Sequence, residues 1–216
     1  MEYTDEYIKE TLYTAVLCDV MDQMGFDNQA LGVQFRPLDP DVTLFGRAFT
    51  SIGTQVYTMP KDPLTAQCKV IDQISEGEVY VLATRGEYNC AVMGELLATA
   101  IQVKKGAGAL IDGMARDLRQ VKKIGFPLYY KGNLPLSSKG RCEINECKIP
   151  VKIDGVIIKP GDYIFADLDG VAIIPQGVAD EVFAKAVEVV KKENNVRENL
   201  LNGATLADTY AKIGAI

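Results

Sequence analysis

The chain has 216 residues, of which 48% are hydrophobic, and a formal net charge of −6 at pH 7. This length and apolar content suit one domain with a single substantial core, spanning residues 1–216. The acidic balance, with an isoelectric point near 4.8, argues against a nucleic-acid partner, because proteins that bind phosphate backbones usually carry a basic face.

Two further features of the composition limit the chemistry. The chain contains no histidine, which removes the usual general base and the imidazole metal ligand. Any metal must therefore be held by oxygen, which favours Mg²⁺ or Mn²⁺. The five cysteines include no Cys-x-x-Cys pair, so we expect reduced thiols and no zinc site.

The sequence also bears on location. It has no apolar run of the length, about 18 residues, that a membrane span needs. It does not begin with a charged and then apolar leader. We therefore expect no membrane association and a cytoplasmic protein.

The first part of the chain alternates helical and extended patterns. Residues 4–24 have helical spacing, with Thr14 as a candidate N-cap and Gly25 as the stop. The segment from Leu44 to Tyr57 is rich in β-favouring residues and predicts extended chain. Asp62-Pro63 is typical of a helix start, with Asp as the N-cap and Pro at the first helical position.

A strand predicted at residues 79–84 leads into a loop, Thr84 to Met93, and loops in such places commonly carry function. Asn89 in this loop is a candidate ligand contact. Arg47, within the extended segment before it, is expected to be exposed or structurally paired, with a functional inward position as the alternative.

We interpret the stretch from Gly94 to Asp117 as the part of the chain where the reaction takes place. Its spacing predicts a helix from Glu95 that closes with Gly106 as a left-handed C-cap. A short apolar strand, Ala107 to Ile111, is then expected to break at Asp112-Gly113. A second helical pattern follows and ends at Gly125.

This order of helix, strand and helix places polar groups at the ends of the helices and the strand. Glu95, Leu96 and Leu97 fall in the first turn of a helix, where unpaired backbone N–H groups and the helix dipole favour an anion. Arg116 and Asp117 fall where a buried strand gives way to a helix, which is where open α/β proteins bind ligands. The convergence would suit a carboxylate substrate and a divalent metal. Alternatively, Arg116-Asp117 is a helix-opening acid with a surface ion pair.

The last third becomes β and then helical. Asp154-Gly155 predicts a two-residue hairpin turn, followed by a meander. Asp167 and Asp169 are interpreted as turn formers, with metal binding as the alternative. A long helix is predicted at residues 178–202 and a short one from Leu206 to Ile213, so the chain as a whole indicates a mixed α/β layered domain.

These residues resemble a known family. Gly94-Glu95 is followed, after the twenty residues Leu96 to Ala115, by Arg-Asp within I-D-G-x-x-R-D, which is similar to the signature of the RraA-like family. Supporting segments are T-A-V-L-C-D-V-M-D near the start, L-F-G-R-A-F-T at 44–50, G-F-P-L-Y at 125–129 and K-P-G-D-Y-I-F-A-D-L-D-G-V-A-I-I-P at 159–175. The resemblance implies an α/β fold with a central β-sandwich or mixed sheet flanked by helices. It also implies a homotrimer or a hexamer of two trimers, with active sites between subunits.

The family includes class II pyruvate aldolases that act on 4-hydroxy-4-methyl-2-oxoglutarate and 4-carboxy-4-hydroxy-2-oxoadipate. The resemblance implies that Asp117 ligates Mg²⁺ or Mn²⁺ and that Glu95 and Glu193 hold metal-bound waters. Arg116 and the amides of Leu96 and Leu97, next to Gly94, would bind the pyruvyl carboxylate. Glu193 would come from the C-terminal helix of a neighbouring subunit, with Glu198 in reserve. Oxaloacetate decarboxylation is expected as a side activity.

The sequence departs from the aldolase pattern at one position, and two functions other than aldolase are assigned within the family. The aldolases have Asp where this chain has Glu95. Some RraA-like members are inhibitors of ribonuclease E that act by protein contact, so a non-catalytic regulator is the alternative function. A demethylmenaquinone methyltransferase activity is not supported, because Gly106-Ala107-Gly108 follows a helical pattern and not a strand.

Overall fold

The computed structural model describes residues 3–86 and 89–213. Its helices are α1 (Asp5–Thr11), α2 (Thr14–Gln23), α3 (Thr65–Ile71), α4 (Glu95–Val103), α5 (Leu118–Lys123), α6 (Ala179–Leu201) and α7 (Leu206–Ile213). Its strands are β1 (Arg36–Pro37), β2 (Leu44–Gln55), β3 (Glu78–Ala83), β4 (Ala91–Met93), β5 (Gly108–Ala115), β6 (Leu128–Asn133), β7 (Cys142–Cys147), β8 (Val151–Ile153), β9 (Val156–Ile158), β10 (Tyr163–Asp167) and β11 (Gly170–Ile174). Within the described residues, no helix is long and apolar enough to cross a membrane.

A mixed sheet organises the fold. Its main path runs β1-β6-β5-β3-β2-β10-β11, with β4 paired to β5 and β7 paired to β2. The centre, from β2 through β3 and β5 to β6, is parallel, whereas β1, β7, β10 and β11 are antiparallel to their neighbours. The parallel centre follows from the helices that connect its strands.

The two edges of this sheet are joined by one short segment. Ala30 forms a bridge with Ala172 of β11, and the Leu31 N–H donates to the carbonyl of Val171 at 2.9 Å. A few residues later, Arg36 pairs with Tyr130 of β6. Because the same stretch of chain contacts both edges, the sheet is nearly closed.

Alternation along the strands sorts the side chains into an inner and an outer core. In β3, Val79 and Val81 point inward, and Tyr80 and Leu82 point outward. The inner core is filled by the β8–β9 hairpin, whose four buried aliphatic side chains contribute about 1.5–3 kcal/mol each; they are Val151, Ile153, Val156 and Ile158.

Helices cover the outer face in two groups. Helices α3, α4 and α5 pack on β3, β5 and β6, and α1, α2 and α6 pack on the other side, against β10 and β11. The fold is therefore the mixed α/β arrangement with flanking helices that the resemblance implied. The hairpin at Asp154-Gly155 and the predicted helices at 178–202 and Leu206–Ile213 are present.

The expected break at Asp112-Gly113 is wrong. Strand β5 continues through both residues to Ala115, because Asp112 is buried and paired with Lys131 of β6 at 2.8 Å. The C-cap assignment to Gly106 also needs correction, since Lys105 takes the left-handed conformation, with φ of 59°. Gly106 is needed for space: a Cβ there would lie 2.5 Å from the side chain of Ile101.

Two helix starts also differ from expectation. Thr14 is the first residue of α2 and not its cap, because its N–H and hydroxyl donate to the carboxylate of Asp167 at 2.8 and 2.6 Å. Asp167 thereby supplies the anion favoured at a helix N-terminus. The helix expected from Asp62 begins only at Thr65, since Leu64 is left-handed with φ of 73°.

Candidate active site

The candidate site forms where two parallel strands end together. Strands β4 and β5 are paired so that Met93 lies opposite Ala115, and the Arg116 N–H donates to the Met93 carbonyl at 2.9 Å. Gly94 follows β4 and Arg116 follows β5, so residues 22 positions apart in sequence become neighbours. The strand ends therefore bring together the two halves of the predicted signature, as expected for an α/β sheet.

Gly94 allows this close approach. Its backbone is extended, with φ of −153°, so its role is space and not conformation. A Cβ at this position would lie 2.8 Å from Asp117 Oδ2 and 3.4 Å from Arg116 Nε. Any side chain at this position would displace the groups that define the site.

Asp117 is held in an unusual backbone conformation. Its φ of 58° and ψ of 27° are left-handed, and its side chain does not cap its own helix, α5. The carboxylate instead lies 3.5 Å from the Glu95 N–H at the start of α4 and 3.6 Å from Arg116 Nε. The Arg116 and Asp117 side chains are 40% and 44% exposed, so both are available to a ligand.

Glu95 occupies the first position of α4 and is held by its own helix. The Thr99 hydroxyl donates to Glu95 Oε1 at 2.9 Å. Leu96 is exposed and Leu97 partly so. Their backbone N–H groups belong to the first turn, which has no intrahelical acceptors.

A cleft of about 200 Å³ opens beside these groups. Gly94, Leu96, Leu97, Arg116 and Asp117 all line it. Three more lining residues, Ala91, Val92 and Met93, come from the end of the loop that was expected to carry function. The others were not anticipated from the sequence, because they come from distant elements that no motif marks: Leu64, Gln67, Cys68, Ser137 and Ser138.

The loop predicted between Thr84 and Met93 contributes to this cleft through Ala91–Met93, which form strand β4. Asn89 is exposed and does not line the cleft. Glu87 and Tyr88 of this loop lie outside the described residues. Arg47 is exposed and stacks over the ring of Tyr163, 5.4 Å from its centroid.

Glu193 lies elsewhere within the chain. It is on α6, in the helix group opposite to α4 and α5, where the Tyr13 hydroxyl donates to its carboxylate. Burial, together with this hydrogen bond, raises the pKa of Tyr13 to about 12. Glu198 is exposed further along α6. Among residues 3–86 and 89–213, no three His, Cys, Asp or Glu side chains gather as a metal site, so the set of Asp117, Glu95 and Glu193 remains a prediction about assembled subunits.

A buried ionic cluster was missed by sequence reasoning. The Lys131 side chain is 3% exposed, and its Nζ lies 2.8 Å from Asp112 Oδ1 and 2.6 Å from Asp154 Oδ1. Asp154 also accepts the Gly32 N–H at 3.1 Å. The cluster fastens the β8–β9 turn to the sheet. Asp112-Gly113 and Asp154-Gly155 were both interpreted from the sequence as turns, and only Asp154-Gly155 is one.

Comparison with known proteins identifies the family. Residues 14–173 match the family described as RraA-like, Aldolase/RraA, and the chain belongs to this family. Over 197 residues it is 30% identical to a Halalkalibacterium halodurans protein with the provisional name 4-hydroxy-4-methyl-2-oxoglutarate aldolase, covering 91% of this chain and 88% of that protein. It is 27% identical to DlpA of Legionella pneumophila, but spans only 31% of that longer protein. The relatives support an aldolase-type lyase at the level of the family.

Solved structures confirm the fold. An uncharacterized protein from Pseudomonas syringae pv. tomato aligns with a TM-score of 0.83 at 30% identity, covering 96% of this chain and 99% of that one. RraAS2 of Streptomyces coelicolor, described as an unusual member of the RNase ES inhibitor RraA protein family, aligns with a TM-score of 0.76 at 25% identity, covering 91% of this chain and 98% of that one.

Proposed function

We propose that this protein is a divalent-metal-dependent pyruvate aldolase that cleaves a 4-hydroxy-2-oxo acid of the type represented by 4-hydroxy-4-methyl-2-oxoglutarate. The observation that carries the proposal is the convergence at Gly94, where Arg116, Asp117 and the first turn of α4 meet beside one cleft. Oxaloacetate decarboxylation is a side activity, because it passes through the same pyruvate enolate.

Arg116 and α4 bind the pyruvyl end of the substrate. The planar guanidinium offers a bidentate clamp for a carboxylate. The N–H groups of Leu96 and Leu97 add donors at the positive end of the helix dipole. Together they fix the substrate so that its 2-oxo group faces Asp117.

The carboxylates of Asp117 and Glu95 fit a Mg²⁺ or Mn²⁺ site. Asp117 lines the cleft, whereas Glu95 begins α4 and does not line it. Both are oxygen donors, and Mg²⁺ is usually held by one or two carboxylates with several waters. Glu193 of a neighbouring subunit would complete the outer shell. The ion, when bound, supplies a Lewis acid that stabilises negative charge on the 2-oxo group.

Cleavage breaks the C3–C4 bond of the substrate. The electron pair stays with the pyruvyl half as an enolate, the proton of the 4-hydroxyl leaves to water, and C4 becomes the carbonyl carbon of the second product. The enolate then takes a proton at C3 to give pyruvate. Arg116 and the α4 amides hold the carboxylate throughout, so the reacting carbons stay in place.

Oxaloacetate provides the most direct test, because its cleavage needs only the pyruvyl end. Purified protein with Mg²⁺ or Mn²⁺ should release pyruvate above the metal-only background, and excess EDTA should abolish the release. Full turnover in EDTA, with no metal found by elemental analysis, would contradict the metal dependence. Absence of pyruvate with either metal, in the wild type and in Glu95→Asp, would overturn the aldolase proposal.

The second candidate is a non-catalytic regulator of the ribonuclease E type. It is favoured by the similarity to RraAS2, and it needs a protein partner and no substrate. Inhibition of a ribonuclease E by the wild type and equally by Arg116→Lys, with no pyruvate release from either, would support this alternative.

A further inference from the structure

Gln67 is a polar side chain to which the aldolase chemistry described above gives no role. It lies on α3 and lines the same cleft as Arg116 and Asp117, although it is only 4% exposed. Burying an amide costs free energy unless its polar atoms are paired. The hydrogen bonds of the Gln67 side chain therefore bear on what the cleft binds.

Strand β4 fixes one end of the Gln67 amide. Its Nε2 donates to the Val92 carbonyl at 3.0 Å, and because a carbonyl can only accept, the nitrogen must face Val92. Within residues 3–86 and 89–213 this is the only hydrogen bond of the Gln67 side chain. Its Oε1 is not enclosed, since Tyr80 Oη is the only fully buried side-chain oxygen or nitrogen of the described residues that lacks a partner. The amide therefore has an open edge, with Oε1 and a second N–H free for a ligand.

The position of this amide relative to Arg116 suits C4 of the substrate. Val92, which holds Gln67, is two residues from Gly94, which adjoins Arg116, and two residues of extended chain span about 7 Å. In a 4-hydroxy-2-oxo acid, three carbon–carbon bonds of about 1.5 Å each join the carboxyl carbon to C4. The hydroxyl oxygen lies one bond further, and a hydrogen bond adds about 2.9 Å. A substrate held by Arg116 can therefore place its 4-hydroxyl against Gln67.

We propose that Gln67 is a catalytic residue whose second N–H donates a hydrogen bond to the 4-hydroxyl oxygen of the substrate. This role rests on the proposed aldolase function and deepens it. When the C3–C4 bond breaks, its electrons form the enolate, the hydroxyl proton leaves to water, and the electrons of the O–H bond form the new carbonyl at C4. Negative charge passes through this oxygen as the proton leaves. A donor that Val92 already holds in place stabilises that charge without reorganisation.

A neighbouring subunit that completes the site does not change this arrangement. Gln67, Val92 and Arg116 belong to one chain, and the Arg116 N–H is itself bonded to Met93, the residue after Val92. The spacing between the carboxylate clamp and the amide is therefore set within each subunit.

Two kinds of substrate separate this contact from a structural role. Oxaloacetate has no 4-hydroxyl, whereas 4-hydroxy-4-methyl-2-oxoglutarate and 4-hydroxy-2-oxopentanoate have one, and the one that the wild type cleaves faster serves as the hydroxylated probe. Gln67→Met keeps the length of the side chain but has no N–H, so kcat for this probe with Mn²⁺ should fall by about 100-fold. Oxaloacetate decarboxylation should stay close to the wild-type rate. A coupled assay for pyruvate measures both reactions.

Gln73 provides the matched control. It is exposed just after α3, its Nε2 donates to the Lys69 carbonyl at 3.1 Å, and it does not line the cleft. Gln73→Met removes the same kind of hydrogen bond and should leave both reactions unchanged. Far-UV circular dichroism tests whether the variants fold. If Gln67→Met does not fold, Gln67→Asn makes the same comparison, because it keeps an amide but withdraws it by one methylene.

The outcomes are distinguishable. Equal losses for both kinds of substrate would mean that Gln67 only supports the cleft wall, and they would overturn the inference, as would unchanged cleavage of the hydroxylated probe. Decarboxylation of oxaloacetate by a wild type that cleaves neither hydroxylated acid also overturns the inference alone. No pyruvate from any of the three compounds overturns both proposals together.

Discussion

Arg116 has the most specific geometric role in the site, because its planar guanidinium must present two N–H donors to a carboxylate beside Gly94. Arg116→Lys keeps the charge but loses the fork, so kcat/KM for pyruvate release should fall by about 100-fold while the protein stays folded. Arg119→Lys, an exposed position on α5, is the control and should change little. Normal turnover by Arg116→Lys would mean that another residue binds the carboxylate.

Lys131 should matter for stability and not for chemistry. Lys131→Met leaves Asp112 without its cation in the interior, so the free energy of unfolding in urea should fall by about 3–5 kcal/mol. Lys152→Met removes an exposed lysine from β8 and should change it by less than about 0.5 kcal/mol. Equal stabilities for the two variants would show that the cluster is not what fastens the hairpin.

Arg116 and Lys131 show which features of the site could be predicted from the sequence and which could not. Arg116 and Asp117 follow a strand pattern and precede a helical one, so their place at a strand end could be predicted from local pattern. Lys131 and Ser137 carry no local signal, because their roles depend on contacts with residues far away in sequence. Charge and polarity alone do not say which lysine is buried.

At the level of elements, the start of α4 combines a dipole, free amides and Glu95. Thr99 holds the Glu95 carboxylate along the helix, which draws it away from a metal. We expect the wild type to prefer Mn²⁺, whose coordination is more tolerant than that of Mg²⁺. Glu95→Asp cannot keep the Thr99 contact in the same way, and should raise Mg²⁺ affinity by about ten-fold.

Thr99→Val is the companion variant, since it releases Glu95 without shortening it. Titration of both variants with Mg²⁺ and Mn²⁺, followed by pyruvate release, measures the effect. An unchanged metal preference in both variants would show that Glu95 takes no part in binding the metal.

The contact between α2 and α6 makes a prediction about pH. Burial and Glu193 raise the pKa of Tyr13 from 10.0 to about 12. Between these values the unfolded chain has lost a proton that the folded chain keeps, so stability falls as pH rises. Tyr13→Phe removes this contribution, and the stability difference between wild type and variant should shrink from pH 10 to pH 12.

Urea unfolding at intervals across this range measures the difference. The exposed Tyr210 of α7 provides the control variant, Tyr210→Phe. The pKa values of Tyr80 and Tyr129 are also raised by burial, but both tyrosines are present in every protein compared. A constant difference at all pH values would contradict the role assigned to Tyr13.

The helices and strands show where local pattern fails. The hairpin at Asp154-Gly155 and helix α6 were predicted because their signals are local and strong. Strand β5 was cut short, because Asp112-Gly113 has turn chemistry, and only the partner Lys131 on β6 keeps it in the sheet. Strand β7 was missed, since its pairing with the second half of β2 cannot be inferred from its own residues.

At the scale of the whole molecule, Glu193 should act between subunits. We predict a homotrimer or homohexamer of the 23.6 kDa chain, measurable by sedimentation equilibrium. In the oligomer, Glu193→Ala should weaken Mn²⁺ binding by about ten-fold, whereas Glu188→Ala, at an exposed position on α6, should not.

Two results would revise this assignment. Loss of Mn²⁺ affinity in Glu198→Ala, and not in Glu193→Ala, would assign the metal-binding role to Glu198, which lies more than one helical turn further along α6. A monomer that binds Mn²⁺ with full affinity would show that no neighbouring chain is needed.

The fold class could be predicted from the resemblance, but the closure of the sheet could not. The closing segment, residues 29–37, has no strand pattern of its own, and it pairs with β11 and β6 only through the final arrangement of both edges. Such closure is a property of the complete sheet and not of any stretch of sequence.

Because of this closing segment, the sheet can close only late in translation. Ala30 leaves the ribosome early, but its partner Ala172 emerges only after a further 142 residues, roughly seven to thirty seconds later at typical rates of translation. During this interval the inner faces of β2, β3 and β5 cannot be fully enclosed. The nascent chain therefore exposes aliphatic strands while it is being made, and its yield should depend on translation speed and on chaperones more strongly than the stability of the finished protein would suggest.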